Sequence, residues 1–365
     1  MYLTFVIRIL GVLGTFGFLF VLSKEYSFEI VGQFTRLTVS SAFTSMISRY
    51  SSEFLMERYR SESMFSIPNT LLRNLVAYHL LFLFLGTYVL STFMHEHTHL
   101  NTINYFILTV GLSLISYNFQ IYSLCDQSEM AAAINLSTLQ LLLIPFLLMK
   151  IEYSYIITLF SFLALLLPLL MLMGKVDFIR EDDISWTWLS GISITVVPYI
   201  LGSGILFYLM WILENNMLGQ LSIVHKFFTF FLIVSQLFYS RSLRVSAGNW
   251  SMEYDKISRK PALALLVCLF ISYPLLRRVF DFDEGVFTWY IISIVFGFCY
   301  AIVGPSASFT VLSKKENQMV RINWLAILLV VIISFCYPIL SSLMLYTSLL
   351  LLGLVYRLAL KKLYL

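Results

Sequence analysis

Three positively charged residues, Arg8, Arg36 and Lys226, lie inside long apolar segments of the sequence. A charge in hydrocarbon costs at least about 2.5–3.5 kcal/mol at the bilayer centre, so it is usually retained where it meets water or a ligand. No Asp or Glu lies deep in any of the apolar segments. Because a guanidinium binds phosphate oxygens as a bidentate fork, the three cations predict a site for an anion such as a pyrophosphate. Extension of each long side chain to the membrane surface remains the alternative.

Each cation belongs to a polar stripe whose residues recur every three or four positions, which places the stripe on one helix face. The other members that we expect to line a cavity are Gln33, Ser40 and Thr44 beside Arg36, and Thr229 and Gln236 beside Lys226. Arg49 closes the second apolar segment. It is interpreted either as a further contact for the anionic headgroup or as an ordinary cytoplasmic anchor.

A possible zinc motif occurs at His95-Glu96-His97-Thr98-His99, which matches H-E-x-x-H. In a zinc protease the two histidines lie one helical turn apart and the glutamate activates water. This motif falls in a short connection, and no third ligand is evident in the sequence. The four cysteines are scattered and form no C-x-x-C pair. We therefore expect no metal site, no catalytic residue and no cofactor, and we leave open a coupling ion, Na⁺ or H⁺.

The composition predicts a membrane protein, because 59% of the residues are hydrophobic and only 12% are charged. Soluble domains carry about 25% charged residues, so the exterior is expected to face lipid. Apolar runs of the length needed to cross a bilayer recur along the whole chain. The predicted spans are 2–22, 29–48, 70–92, 102–124, 130–149, 153–174, 186–212, 217–239, 261–280, 287–312, 320–336 and 338–358. The predicted fold class is all-α and polytopic, and no nucleic-acid partner is expected.

The distribution of positive charge predicts the orientation of these spans. Seventeen Lys and Arg residues fall in the tail and in connections on the side of the N-terminus, and four fall in connections on the other side. Because cytoplasmic loops are enriched in Lys and Arg, both termini are predicted to be cytoplasmic. The longest inner connections are 49–69 and 240–260, and the outer ones are short.

Two short sequence matches predict an internal duplication. Val31-Gly32-Gln33-Phe34 matches Leu218-Gly219-Gln220-Leu221 at an offset of 187 residues, and Ile134-Asn135 matches Ile322-Asn323 at an offset of 188. Chance similarity between apolar segments is the alternative. A duplication at this offset gives two pseudo-symmetric six-helix lobes of the same direction around a central cavity. The predicted domains are 1–174, a cytoplasmic linker 175–185, and 186–365.

The sequence resembles a known family at three segments. These are Arg8-Ile9-Leu10-Gly11 on the first span, Glu29-Ile30-Val31-Gly32-Gln33-Phe34 at the second, and Glu214-Asn215-Asn216-Met217-Leu218-Gly219-Gln220 before the eighth. Across the whole chain the pattern is similar to the O-antigen and polysaccharide flippases (Wzx-type) of the multidrug/oligosaccharidyl-lipid/polysaccharide (MOP) exporter superfamily. The resemblance implies a MATE/MOP-like V-shaped cavity and alternating access. In the related lipid II flippases the cavity cations lie on helices one, two and eight, the helices of Arg8, Arg36 and Lys226.

The resemblance also implies a function and partners. The expected substrate is an undecaprenyl-pyrophosphate-linked oligosaccharide, moved from the cytoplasmic to the outer face of the bacterial inner membrane without making or breaking a bond. Expected partners are membrane lipids, a polysaccharide polymerase and a chain-length regulator. One alternative is an O-antigen polymerase. Polymerases typically have a large outward loop with catalytic Arg residues, whereas here the outward connections are short and only Arg277-Arg278 fits that description. The other is a multidrug exporter of the same superfamily, which usually needs an intramembrane carboxylate.

Overall fold

The protein is almost entirely helical in a computed structural model. The structure describes residues 2–48, 66–68, 102–124, 136–172, 177–179, 196–202, 204–245, 250–307, 310, 313, 315–335 and 341–364. The predicted third span, 70–92, lies outside the described residues, as does most of the linker 175–185.

The described part of the chain contains eleven helices whose bounds are given below, a helical segment at 196–200 and two very short strands. The helices are α1 (Tyr2–Glu25), α2 (Phe28–Ser48), α3 (Thr102–Leu124), α4 (Leu136–Leu148), α5 (Tyr153–Leu172), α6 (Ile205–Leu209), α7 (Asn215–Val245), α8 (Trp250–Phe280), α9 (Val286–Val303), α10 (Glu316–Phe335) and α11 (Ser342–Tyr364). The strands β1 (Ser66–Pro68) and β2 (Asp177–Ile179) pair in parallel, with Ser66 opposite Asp177.

Five of the helices are long and apolar enough to cross a membrane: α5, α8, α9, α10 and α11. They confirm that the chain is a polytopic helical membrane protein. Large apolar side chains cover the outside of these helices, as at Ile271, Leu275 and Phe335. Helices α2 and α7, the two that carry several polar residues in their spans, are not among the five.

The chain forms two compact units, Met1–Thr195 and Val196–Leu365. In unit 1, α1 packs on α4, while α3 packs on both α2 and α5, and α4 packs on α5. In unit 2, α9 packs on both α7 and α11, and α10 packs on α11. By the predicted duplication, α2, α3, α4 and α5 correspond to α7, α9, α10 and α11. Three packing pairs therefore recur in the two units, as two copies of one arrangement would require.

Most of the predicted connection 240–260 is helical. Helix α7 continues to Val245 and α8 already begins at Trp250. The apolar pattern ends where Arg241, Arg244 and Lys256 appear, but Arg and Lys are good helix formers. The helices therefore extend beyond their apolar parts.

Two predicted spans, 186–212 and 287–312, are interrupted. Helix α9 ends at Val303 because Gly304 adopts a φ of 86° and the next residue is Pro305. In the seventh span the chain turns at Leu201–Gly202 and resumes as the single-turn helix α6. An apolar composition alone did not reveal these breaks.

Two stacked side chains, Tyr300 and Arg357, each bond a carbonyl oxygen near one of the breaks in unit 2. The hydroxyl of Tyr300 donates to the Leu201 carbonyl at 2.7 Å and lies 3.0 Å from the Leu350 carbonyl. The Arg357 guanidinium lies over the Tyr300 ring at 4.5 Å and donates to the Gly304 carbonyl at 2.9 Å. Gly353 leaves the space in which the Tyr300 hydroxyl meets the Leu201 carbonyl. Membrane helices tolerate such breaks only where the protein supplies partners for the backbone.

Contacts between connections agree with the predicted number of spans between them. At one end of unit 1, Lys150 pairs with Glu25 at 3.0 Å, and the Tyr26 hydroxyl donates to the Ile151 carbonyl at 2.5 Å. Burial, followed by the Glu25 carboxylate, raises the pKa of Tyr26, so its hydroxyl stays protonated as the donor. The β1–β2 pair joins the connection 49–69 to the linker 175–185, and four predicted spans separate them. An even number of crossings returns the chain to the same side.

The predicted orientation can be tested by cysteine labelling. In a chain whose four native cysteines are replaced by Ser, Glu284→Cys should react with an impermeant maleimide in intact cells. Lys256→Cys should react only after permeabilisation, because the charge distribution places it in the cytoplasm. Reaction of Lys256→Cys in intact cells would contradict the orientation.

The close contact at Gly353 predicts a strong size limit. In Gly353→Ala the added methyl overlaps the Tyr300 hydroxyl and the Leu201 carbonyl. We expect a loss of about 1–3 kcal/mol or more from overpacking, measured as a lower Tm of the purified protein in detergent. Gly285→Ala is the matched control, because its methyl meets no atom within 4 Å. Equal Tm values for the two variants would show that the contact does not limit side-chain size.

Candidate functional site

Arg36 lies inside the protein and not at a lipid surface. It is in the middle of α2, and only 5% of the residue is exposed. A side chain enclosed in this way does not extend along a lipid-facing surface to the headgroups. Arg36 also interacts with another residue of the protein. Because Arg36 is buried and already interacts with the protein, the protein interior fixes the position of its guanidinium.

The face of α2 around Arg36 carries a buried stripe of hydroxyl groups. Ser40 donates to the Arg36 carbonyl at 2.6 Å, and Thr44 donates to the Ser40 carbonyl at 3.1 Å. Gln33, one turn before Arg36, is half-buried. A bond to a carbonyl of the same helix satisfies each of these hydroxyl donors. Nearby, the Ser41 hydroxyl is buried and has no hydrogen-bond partner among the described residues.

A second polar stripe on α3 meets the stripe on α2. Tyr105, Thr109 and Ser113 recur every four residues and are all buried. The hydroxyls of Tyr105 and Thr44 lie 2.9 Å apart and join the two helices. Sequence reasoning missed this stripe, although its spacing of four was visible in the sequence. Together the two stripes give unit 1 a polar interior, in which an arginine could bind phosphate oxygens and hydroxyls could bind a sugar.

Lys226 belongs to unit 2, on α7, and is half-buried. Thr229 donates to the Lys226 carbonyl at 2.9 Å, so it too is bonded within its own helix. Arg8 lies on α1 and Gln236 on α7; only the backbone of these two is described. Arg49 lies outside the described residues. The structure thus brings Arg36, Ser40 and Thr44 together on α2, whereas the meeting of Arg8, Arg36 and Lys226 in one cavity stays a prediction.

Unit 2 contains a buried network that sequence reasoning also missed. The Tyr346 hydroxyl lies 3.0 Å from His225 Nδ1 and 2.7 Å from the Ser293 hydroxyl. The His225 ring stacks on Phe228 at 5.0 Å, and Trp289 packs on Tyr346 at 5.2 Å. The sequence signal was a histidine, His225, within the predicted span 217–239. An ionisable residue inside a membrane helix is a candidate for a proton relay. The sequence left open Na⁺ or H⁺ as a coupling ion, and His225 is the candidate residue for H⁺.

The histidine motif at 95–99 lies outside the described residues. Within the parts of the chain that are described, no group of three or more His, Cys, Asp or Glu residues could hold a metal ion.

Comparison with known proteins gives a fold-level likeness. No protein-family model and no curated protein matches the sequence. Among solved structures, the chain is similar to an outward-facing multidrug resistance MATE family transporter of the MOP superfamily. The two chains are 13% identical with a TM-score of 0.47, and the match covers 99% of this chain and 93% of the other.

The His225 network predicts a stability effect. Tyr346→Phe removes the hydroxyl that joins His225 and Ser293 and leaves buried polar atoms with one partner fewer. We expect a loss of about 1–3 kcal/mol, seen as a lower Tm in detergent. Tyr155→Phe is the control, because Tyr155 is exposed. An unchanged Tm in Tyr346→Phe would mean that the network adds nothing to stability.

Proposed function

We propose that the protein is a flippase that moves an undecaprenyl-pyrophosphate-linked oligosaccharide from the cytoplasmic to the outer face of the bacterial inner membrane by alternating access. The observation that carries this proposal is the burial of Arg36 on α2, beside the hydroxyl stripe of Ser40 and Thr44. A lipid-linked pyrophosphate combines an anion, sugar hydroxyls and a long apolar chain. Each of these finds its chemical complement in the chain: a guanidinium, hydroxyl stripes and a lipid-facing exterior.

In this proposal Arg36 holds the pyrophosphate through a bidentate pair of hydrogen bonds. Arg8 and Lys226 add positive charge to the same anion, and Arg49 receives it at the cytoplasmic end. Gln33, Ser40, Thr44, Thr229 and Gln236 line the path of the glycan. The apolar lipid tail stays in the bilayer, so the cavity has to shelter only the polar part of the substrate. No covalent step takes place.

Two observations favour transport of this substrate over the alternatives. The connections at 26–27, 149–152 and 281–285 are too short for the large outward loop of a polymerase. Among the described residues no Asp or Glu is buried, whereas Arg36 is, and a buried cation suits an anionic substrate. The multidrug alternative usually needs a buried carboxylate. A polymerase and a chain-length regulator would then act on the delivered substrate as separate partners.

The proposal is tested by changing Arg36. A charge-assisted hydrogen bond contributes about 1.5–3 kcal/mol, or about 10- to 150-fold in affinity. Arg36→Ala should therefore abolish or sharply reduce surface glycan in a complemented deletion strain. Arg36→Lys should restore part of it, because the charge returns without the fork. The measurement is surface glycan per molecule of protein in the membrane.

The matched control is Arg321→Ala, which removes the same charge from an exposed position at the start of α10. It should export glycan as the parent protein does. Full export by Arg36→Ala at normal protein abundance would contradict a role for Arg36. Full export by a variant with Arg8, Arg36 and Lys226 all changed to Gln would overturn the substrate assignment.

A further inference from the structure

A second polar site lies in unit 2, at residues that the proposed function does not use. A cavity of about 570 Å³ is lined by Tyr273, Pro274, Arg277, Arg278, Asp281 and Phe282, at the end of α8 and the start of the following connection. The charge distribution predicts that this end faces the outside of the cell.

Two cations line this cavity. Arg277 and Arg278 occupy the last turn of α8 and are both exposed. Arg277 pairs with the exposed Glu284 carboxylate at 3.2 Å. Arg278 makes no ion pair or hydrogen bond with any residue that the structure describes. An arginine fork of this kind is a ready donor to a phosphate group.

A buried tyrosine whose hydroxyl has no partner among the described residues lines the same cavity. Tyr273 is only 8% exposed, and its hydroxyl has no hydrogen-bond partner among the described residues. Its ring is fixed between Phe287, with centroids 4.7 Å apart, and Tyr290, at 4.8 Å. A buried donor that lacks an acceptor lowers stability, so the site is incomplete until an acceptor enters.

The surroundings of the cavity identify where the acceptor comes from. One and two turns before the arginines, the surface of α8 is apolar and exposed, with Ile271 at 72% and Leu275 at 65%. Such a surface faces lipid tails, so the arginines that follow it lie at the level of the headgroups. The connection after α8 is fixed, because Gln220 on α7 bonds both the backbone N–H and the carboxylate of Asp283, at 3.1 and 2.5 Å.

We propose that this cavity binds the phosphate of an anionic phospholipid from the outer leaflet, with Arg277 and Arg278 on the phosphate oxygens and the Tyr273 hydroxyl donating a third hydrogen bond. The acyl chains lie along the apolar surface of α8 before the arginines. The site is distinct from the proposed substrate path, because it takes a bulk membrane lipid and is built wholly from α8 and the connection after it. Binding of such a lipid would stabilise unit 2 by mass action.

The test uses the whole protein in detergent with dioctanoyl phosphatidylglycerol as the probe, and reads affinity from the rise in Tm with lipid concentration. The parent protein should be stabilised by this lipid and much less by dioctanoyl phosphatidylcholine. The double variant Arg277→Gln/Arg278→Gln should bind at least about tenfold more weakly. Tyr273→Phe should also weaken binding, by severalfold, without lowering the Tm of the lipid-free protein, since the hydroxyl it removes is unsatisfied there.

Matched controls separate this site from general charge effects. Lys256→Gln/Lys260→Gln removes the same charge from exposed positions at the other end of α8 and should bind the lipid as the parent does. Equal weakening in this control would overturn the proposal, as would equal stabilisation by phosphatidylcholine. Equal stabilisation by inorganic phosphate at the same concentration would reassign the cavity to a soluble anion. The flippase proposal stands or falls on Arg36 and is unaffected by any of these outcomes.

Discussion

A backbone carbonyl inside a bilayer has no water to accept from, so each break in a membrane helix must be matched by a donor from the protein. Unit 2 contains two such breaks, near Leu201 and at Gly304. Tyr300 and Arg357 serve both, and Gly353 provides the space for the contact. The close packing of α9 on α11 follows from this arrangement, because Tyr300 on α9 can reach the broken seventh span only where α11 presents a glycine. The buried core of unit 2 is thus organised around one aromatic hydroxyl.

The same requirement governs the polar residues that carry the proposed chemistry. Hydroxyl groups on α2 and α3 bond to carbonyls one turn earlier, which lets polar faces exist inside the membrane at little cost. The two units use this polar interior differently. Unit 1 encloses a guanidinium at Arg36, and unit 2 encloses an imidazole at His225. The buried ionisable side chains of the two units therefore differ in chemistry.

The sequence predicted the membrane class and most helix positions, because hydrocarbon thickness and apolar composition constrain both directly. The ends of α7 and α8 were missed, since a helix that leaves the membrane no longer follows an apolar pattern. The break at Gly304 was missed although Gly304-Pro305 marks it locally, because apolar composition alone was read there. The break near Gly202 depends on Tyr300, which is distant in sequence. Arg36 was identified by its charge within a span. The stripe of Tyr105, Thr109 and Ser113 and the partners of His225 depend on helix packing, which no single segment specifies.

The weak hydropathy of α2 and α7 has a consequence for biogenesis. Neither is among the helices apolar enough to partition into lipid unaided, and both bury polar stripes against neighbours synthesised after them. Helix α2 packs on α3, whose first residue follows the end of α2 by more than fifty positions. Helix α7 packs on α8 and α9, which also emerge later from the ribosome. Each of these two helices is therefore expected to insert stably only after its later partner has been synthesised.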